Sequence, residues 1–134
     1  MDTRSRRAWA VTLLAIVALG ILSRSLPIGW PLWDKYLGDA LYAAMVYALI
    51  RLFSGQSSAR IAAFALVLMT ALELFQLTLI PAQLATSQSW PIHMVARLLG
   101  TYFSFLDLAA YAFGIWIIHA LSGKVPGGAA WKAR

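Results

Sequence analysis

The chain has 134 residues, of which 61% are hydrophobic and only 12% charged, with a mean hydropathy of +0.73. A soluble domain carries about 25% charged residues and is less than half apolar, so this composition excludes an ordinary water-soluble enzyme and points to a membrane-embedded chain. The net charge of +6 is scattered among apolar runs, which excludes a nucleic-acid face, and the absence of cysteine excludes disulfides and thiolate metal sites.

The first element is a basic cluster, Arg4-Ser5-Arg6-Arg7, followed by an uncharged run from Ala8 to Ser23. A secretory cleavage site wants small residues in an A-x-A arrangement, whereas this run ends in bulky and basic residues up to Pro27. The segment therefore reads as a retained helix over about 8–25. A second helix is expected over about 36–53, after the Gly29-Trp30-Pro31 turn and before the polar Ser54–Ser58 loop. A third is expected over 60–80, ended by Pro81, and a fourth over 103–122, ended by Gly123 and Pro126. Each is near the roughly 17–25 residues that cross about 30 Å of hydrocarbon. The long connection between the last two contains Pro91–Leu99, a candidate short interfacial helix. The expectation is an all-α, single-domain, four-helix transmembrane bundle.

Lys and Arg set the orientation. The amino-terminal tail, the second–third connection and the carboxyl-terminal tail hold Arg4, Arg6, Arg7, Arg51, Arg60, Lys124, Lys132 and Arg134. The opposite side holds Arg24, Lys35 and Arg97. The positive-inside rule then places both termini in the cytoplasm of a bacterial inner membrane. Trp30, Trp33, Trp90 and Tyr102 fall on the outer side, where an aromatic belt belongs. Ala40, Ala43, Ala44 and Ala48 permit close packing of the second helix.

Three carboxylates interrupt the apolar segments: Asp39, Glu73 and Asp107. A charge at bilayer depth costs roughly 2.5–3.5 kcal/mol on insertion scales, so such groups face a protein interior, hold a partner or do chemistry. Counted from Arg51, Arg60 and Lys124 at about 1.5 Å per residue, they lie roughly 18, 20 and 26 Å deep, all in the outer half. Residues three or four apart share a helix face, which adds Gln76 to Glu73, Tyr111 to Asp107 and Lys35 to Asp39. Gly114 continues the Asp107–Tyr111 face and leaves room for a lipid chain or a neighbouring helix. Arg24, His93 and Arg97 fall in the outer connections and cap the cluster. The product is an acidic pocket opening outward.

Structural alternatives stand beside this reading. Ser104-Phe105-Leu106-Asp107 fits a capping box, and Asp39 suits a helix first turn. Glu73 is mid-helix with no basic neighbour in sequence and suits a buried hydrogen bond to Gln76 or Tyr111. Arg97 suits an interfacial cation, Lys35 a snorkelling one, His93 a loop residue and His119 a cap or interfacial group. No catalytic signature is present, and neither a cofactor nor a metal is expected.

The motifs Trp33-Asp34-Lys35-Tyr36-Leu37-Gly38-Asp39, Glu73-Leu74-Phe75-Gln76 and Ser104-Phe105-Leu106-Asp107-Leu108-Ala109-Ala110-Tyr111-Ala112-Phe113-Gly114 resemble a family of small bacterial integral membrane proteins of unknown function. That family is similar to the VanZ-like proteins, which share a Glu-x-x-Gln on one helix and an Asp followed by a Gly on the next. VanZ-like proteins carry a histidine soon after the lysine and an Asn where Tyr111 stands, so the uncharacterised relative is the better match. The resemblance implies that Lys35, Asp39, Glu73, Gln76, Asp107, Tyr111 and Gly114 are the motif positions, and it implies no reaction.

The expected function is binding of a polar group, on a membrane lipid or a lipid-linked envelope precursor, by Lys35, Asp39, Glu73, Gln76, Arg97, Asp107 and Tyr111. The alternatives are an accessory subunit of a larger membrane complex and an intramembrane enzyme using Glu73 or Asp107 as acid or base. Nucleic acid is not an expected partner.

Overall fold

A computed structural model describes residues 3–54 and 59–124. Four helical segments, 3–25, 32–54, 59–76 and 105–124, are long and apolar enough to cross a membrane, as a multi-pass membrane protein requires. In chain order the elements are α1 (Thr3–Ser25), a π-helix (Leu32–Tyr36) running into α2 (Leu37–Ser54), α3 (Ala59–Gln76), α4 (Ile80–Leu84), α5 (Trp90–Leu99), and α6 (Phe105–Leu121) with a closing 3-10 turn (Ser122–Lys124). The Gly55–Ser58 loop, Pro126, Lys132 and Arg134 lie outside the described residues.

The centre of the bundle is α2, which packs on α1, α3 and α6. Its Ala43, Ala44 and Ala48 are buried together with Trp9 and Ile16 of α1, Ile61, Ala65 and Met69 of α3, and Tyr111, Ile115 and Ile118 of α6. Small side chains let backbones approach, which is how helices bind each other where lipid removes the hydrophobic drive. The tightest approach is at Gly114, where a methyl group would overlap the carbonyl of Ala40. The space beside Gly114 is therefore filled by the neighbouring helix and leaves no room for a lipid chain. Outside the bundle Val11, Leu14, Phe64, Val67, Phe113 and Trp116 are exposed. Such a belt would drive aggregation in water and is the matching surface in hydrocarbon.

The third helix is shorter than expected from its hydropathy. It ends at Gln76, because the Leu79 N–H returns to the Gln76 carbonyl (3.0 Å) and the Thr78 hydroxyl to that of Phe75 (2.7 Å). Leu79 takes the left-handed conformation (φ 59°), and Pro81 falls inside the first turn of α4 and ends nothing. Proline is tolerated in a first turn because its missing N–H has no helical partner there. The interfacial segment is helical as expected, over Trp90–Leu99.

The link from α1 to α2 is tied by side chains. The Asp34 carboxylate accepts from the N–H groups of Ile28 and Gly29, both at 2.9 Å, and the Trp33 indole donates to the Leu26 carbonyl at 3.0 Å. This fixes the entry into the π-helix, whose wider winding is closed by the Leu37 N–H on the Leu32 carbonyl.

Candidate functional site

The carboxyl-terminal ends of α1 and α3 and the amino-terminal ends of α2 and α6 meet at one end of the bundle. The three acids of the spans meet there too. Glu73 has 0% of its surface exposed and sits at the last turn of α3. Its Oε1 accepts from the Ser104 backbone N–H at 2.6 Å, and its Oε2 accepts from Tyr111 Oη and Gln76 Nε2, both at 3.1 Å. Gln76 Nε2 also donates to the Leu99 carbonyl at 3.0 Å. One carboxyl group thus ties α3 to the start of α6, and its neighbour ties α3 to the end of α5.

Ser104 explains why Glu73 must be an acid. A helix start leaves backbone N–H groups without partners, and in a capping box the acid three residues on reaches back to satisfy the first. Half of that arrangement is present: Asp107 N donates to Ser104 Oγ, at a long 3.4 Å. The reciprocal half is taken by Glu73 from another helix, which releases the Asp107 carboxylate. Gly100 completes the junction at φ +74°, where an added Cβ would stand 2.7 Å from Gln76 Nε2. A side chain there meets both a disfavoured backbone and the amide that anchors the loop.

The two aspartates are held by cations. Arg24 Nη2, at the end of α1, lies 3.1 Å from Asp39 Oδ1, and Lys35 Nζ lies 2.8 Å from Asp107 Oδ1. The second contact is a charge pair without directed hydrogen-bond geometry. Asp39 is 8% and Asp107 7% exposed, whereas the Arg24 and Lys35 side chains are 62% and 50% exposed. The acids are walled in, and the cations form the rim. Lys35 also stands over the Tyr36 ring, 5.2 Å from its centre. The fields of Asp107, Arg24, Lys35 and Glu73 all reach Asp39, so the cluster is one electrostatic unit.

Three buried acceptors of this unit lack a hydrogen-bond donor. Asp107 Oδ1 is held by the Lys35 charge alone, and the other two, Asp39 Oδ2 and Gln76 Oε1, remain open. On the flank of α2 and α6 lies an apolar hollow of about 420 Å³ lined by Leu32, Tyr36, Leu37, Ala40, Leu106, Ala109, Ala110 and Phe113. Tyr36 and Leu106 are chain neighbours of Lys35 and Asp107.

Of the residues expected from sequence, Lys35, Asp39, Glu73, Gln76, Asp107 and Tyr111 come together. The Lys35–Asp39 pairing expected from four-residue spacing is replaced by an exchange of partners, because the π-helix carries Lys35 and turns it toward α6. Arg97 is not brought in. It is exposed on α5 and makes no ion pair among the described residues. His93 caps the α4–α5 turn instead of the cluster, with Nδ1 2.9 Å from the Ala85 carbonyl. Sequence reasoning missed the Ser104 N–H and the Leu99 carbonyl, which are backbone groups with no side-chain signature. Among the described residues no group of three acids or histidines is close enough to hold a metal ion.

At the other end, Trp9 of α1, Tyr47 and Arg51 of α2 and His119 of α6 form a second polar cluster. Tyr47 Oη and His119 Nδ1 are 3.0 Å apart, and the Arg51 guanidinium lies 5.2 Å from the centre of the Trp9 ring. His119, in the last turn of α6, is thus a partner of Tyr47.

No curated protein matches the chain, and no solved structure does. A family model described as a protein of unknown function matches residues 28–115. That stretch takes in the three acids with Lys35, Gln76 and Tyr111, and leaves Trp9, Arg24 and His119 outside. With more than half of its length matched, the chain belongs to this family of unknown function, DUF2809.

Proposed function

We propose that this protein binds the headgroup of a membrane amphiphile at the acid end of the bundle, a lipid or lipid-linked envelope precursor whose headgroup carries an amino or hydroxyl donor. The observation that carries the reading is the pair of buried, open acceptors, Asp39 Oδ2 and Gln76 Oε1, beside Asp107 Oδ1, which is held only by the Lys35 charge. A buried acceptor without a donor costs about 1–3 kcal/mol, which a ligand donor recovers. Lys35 and Arg24 at the rim suit the phosphate of the same headgroup, and the apolar hollow lined by Tyr36, the chain neighbour of Lys35, suits its chain. Glu73 has every oxygen engaged and no exposed surface, so it organises the site and touches no ligand.

The positive-inside reading puts this end on the outer face of a bacterial inner membrane, with both termini in the cytoplasm. The kinship with VanZ-like proteins remains part of this proposal and rests on the Glu-x-x-Gln and Asp…Gly motifs alone.

Lipid analysis of the protein extracted in mild detergent tests the reading. Wild type is expected to retain one class of amino- or hydroxyl-bearing phospholipid or lipid-linked sugar, and Lys35→Met with Gln76→Leu to lose it while remaining folded. Retention of the same lipids by the double variant overturns the proposal. Recovery of the lipid-free protein in a larger complex favours the accessory-subunit reading instead.

A further inference from the structure

We propose a second site, for a phosphate-type anion, at the opposite end of the bundle and formed by Arg51 and Trp9. Arg51 is 2% exposed, yet its Nε and Nη1 have no acceptor. The Trp9 indole beneath it is fully buried, and its Nε1 also has no acceptor. These are three buried donors on two stacked groups, the guanidinium carbon 5.2 Å from the ring centre, with no acceptor among them, the complement of an oxyanion. The ring face of Trp9 offsets part of the guanidinium charge but supplies no acceptor to the N–H groups.

The chain does not provide the missing charge from its described acids. Asp34 is committed to the Ile28 and Gly29 amides, and Asp39, Glu73 and Asp107 stand at the far end. Tyr47, whose ring packs on Trp9, is bonded to His119. A buried cation left without an anion is costly, and a guanidinium with two free N–H groups favours forked contact with phosphate. Arg51 is three residues from the end of α2, roughly 4.5 Å along the axis, which is the level of lipid phosphates and within reach of phosphate from the water side.

The anion is then either the phosphate of an anionic lipid on that face or a free phosphate. The full chain, purified in an uncharged maltoside detergent, separates them. Thermal unfolding is followed with inorganic phosphate added, and separately with short-chain phosphatidic acid. Stabilisation by inorganic phosphate identifies a free-phosphate site; stabilisation by the lipid alone identifies a headgroup site. In either case Arg51→Met is expected to abolish the shift, and Trp9→Phe, which keeps the ring and removes one donor, to weaken apparent affinity by about tenfold. Neither change touches the acid end, so lipid retention governed by Lys35 and Gln76 is expected to survive both. Equal shifts in wild type and Arg51→Met overturn the proposal, as does an unchanged unfolding temperature of wild type with both additives. Should Arg51→Met not fold, the Trp9→Phe titration decides: an affinity equal to wild type overturns the site.

Discussion

The two ends of this bundle handle charge in opposite ways. At one, three buried acids share two cations, a tyrosine, an amide and a backbone N–H, and what remains open is a pair of acceptors. At the other, a single buried cation rests on an indole, and what remains open is a set of donors. The difference teaches how far intramembrane charge is structural. Glu73 closes a helix start that no local residue closes, so its removal exposes a defect in the fold. Arg51 closes nothing among the described residues, so its removal relieves one.

The largest expected effect follows directly. Glu73→Leu strands the Ser104 N–H and the Tyr111 hydroxyl, removes one of the two acceptors of the Gln76 amide, and is expected to cost about 3–5 kcal/mol, measured by unfolding in detergent. A loss below about 1 kcal/mol would mean that the α3–α6 clasp contributes little, and the contrast between the ends would fail.

Next comes the seam joining both ends. Gly114→Ala places a methyl on the Ala40 backbone, which has no rotamer to yield, and is expected to cost about 1–3 kcal/mol. Gly123→Ala, with open space around it, serves as the control and should change stability by less than about 0.5 kcal/mol.

A smaller loss is expected for Lys35→Met. Its side chain is half exposed, so the pair with Asp107 is discounted for solvent screening and its removal should cost about 1 kcal/mol. The double variant Lys35→Met/Asp107→Asn, which removes both charges, is expected to recover part of that loss in the same unfolding assay.

The last prediction has the opposite sign. In anion-free detergent Arg51→Met is expected to be neutral or to stabilise, by up to about 1 kcal/mol, because it removes an unmatched buried charge and keeps the volume. Strong destabilisation under those conditions would make Arg51 as structural as Glu73.

Much of the acid end was legible along the chain. Helical spacing put Gln76 beside Glu73, depth counting put Asp39 and Glu73 nearly level with Asp107 about one turn further out, and both follow from a fixed rise and turn per residue. Partner choice was not legible. Lys35 and Asp39 are four apart, yet a π-helix sends Lys35 to Asp107 and leaves Asp39 to Arg24, fifteen residues earlier. The Ser104 capping box reads as complete in sequence, although Glu73 from another helix has taken its second half. The burial of Arg51 was likewise hidden, since a basic residue near the end of a hydrophobic run reads as an orientation signal at the membrane surface.

Sequence alone determined that this chain is all-helical with four spans, because apolar runs of bilayer length leave the backbone no other way to satisfy its hydrogen bonds in lipid. It also determined which positions along those spans are polar. Only the tertiary structure decided which charges meet, which acceptors and donors stay open, and that α2 and α6 touch backbone to backbone at Gly114 and Ala40. Those outcomes depend on the rotation and offset of one helix against another, set by many weak packing contacts distributed over distant parts of the chain.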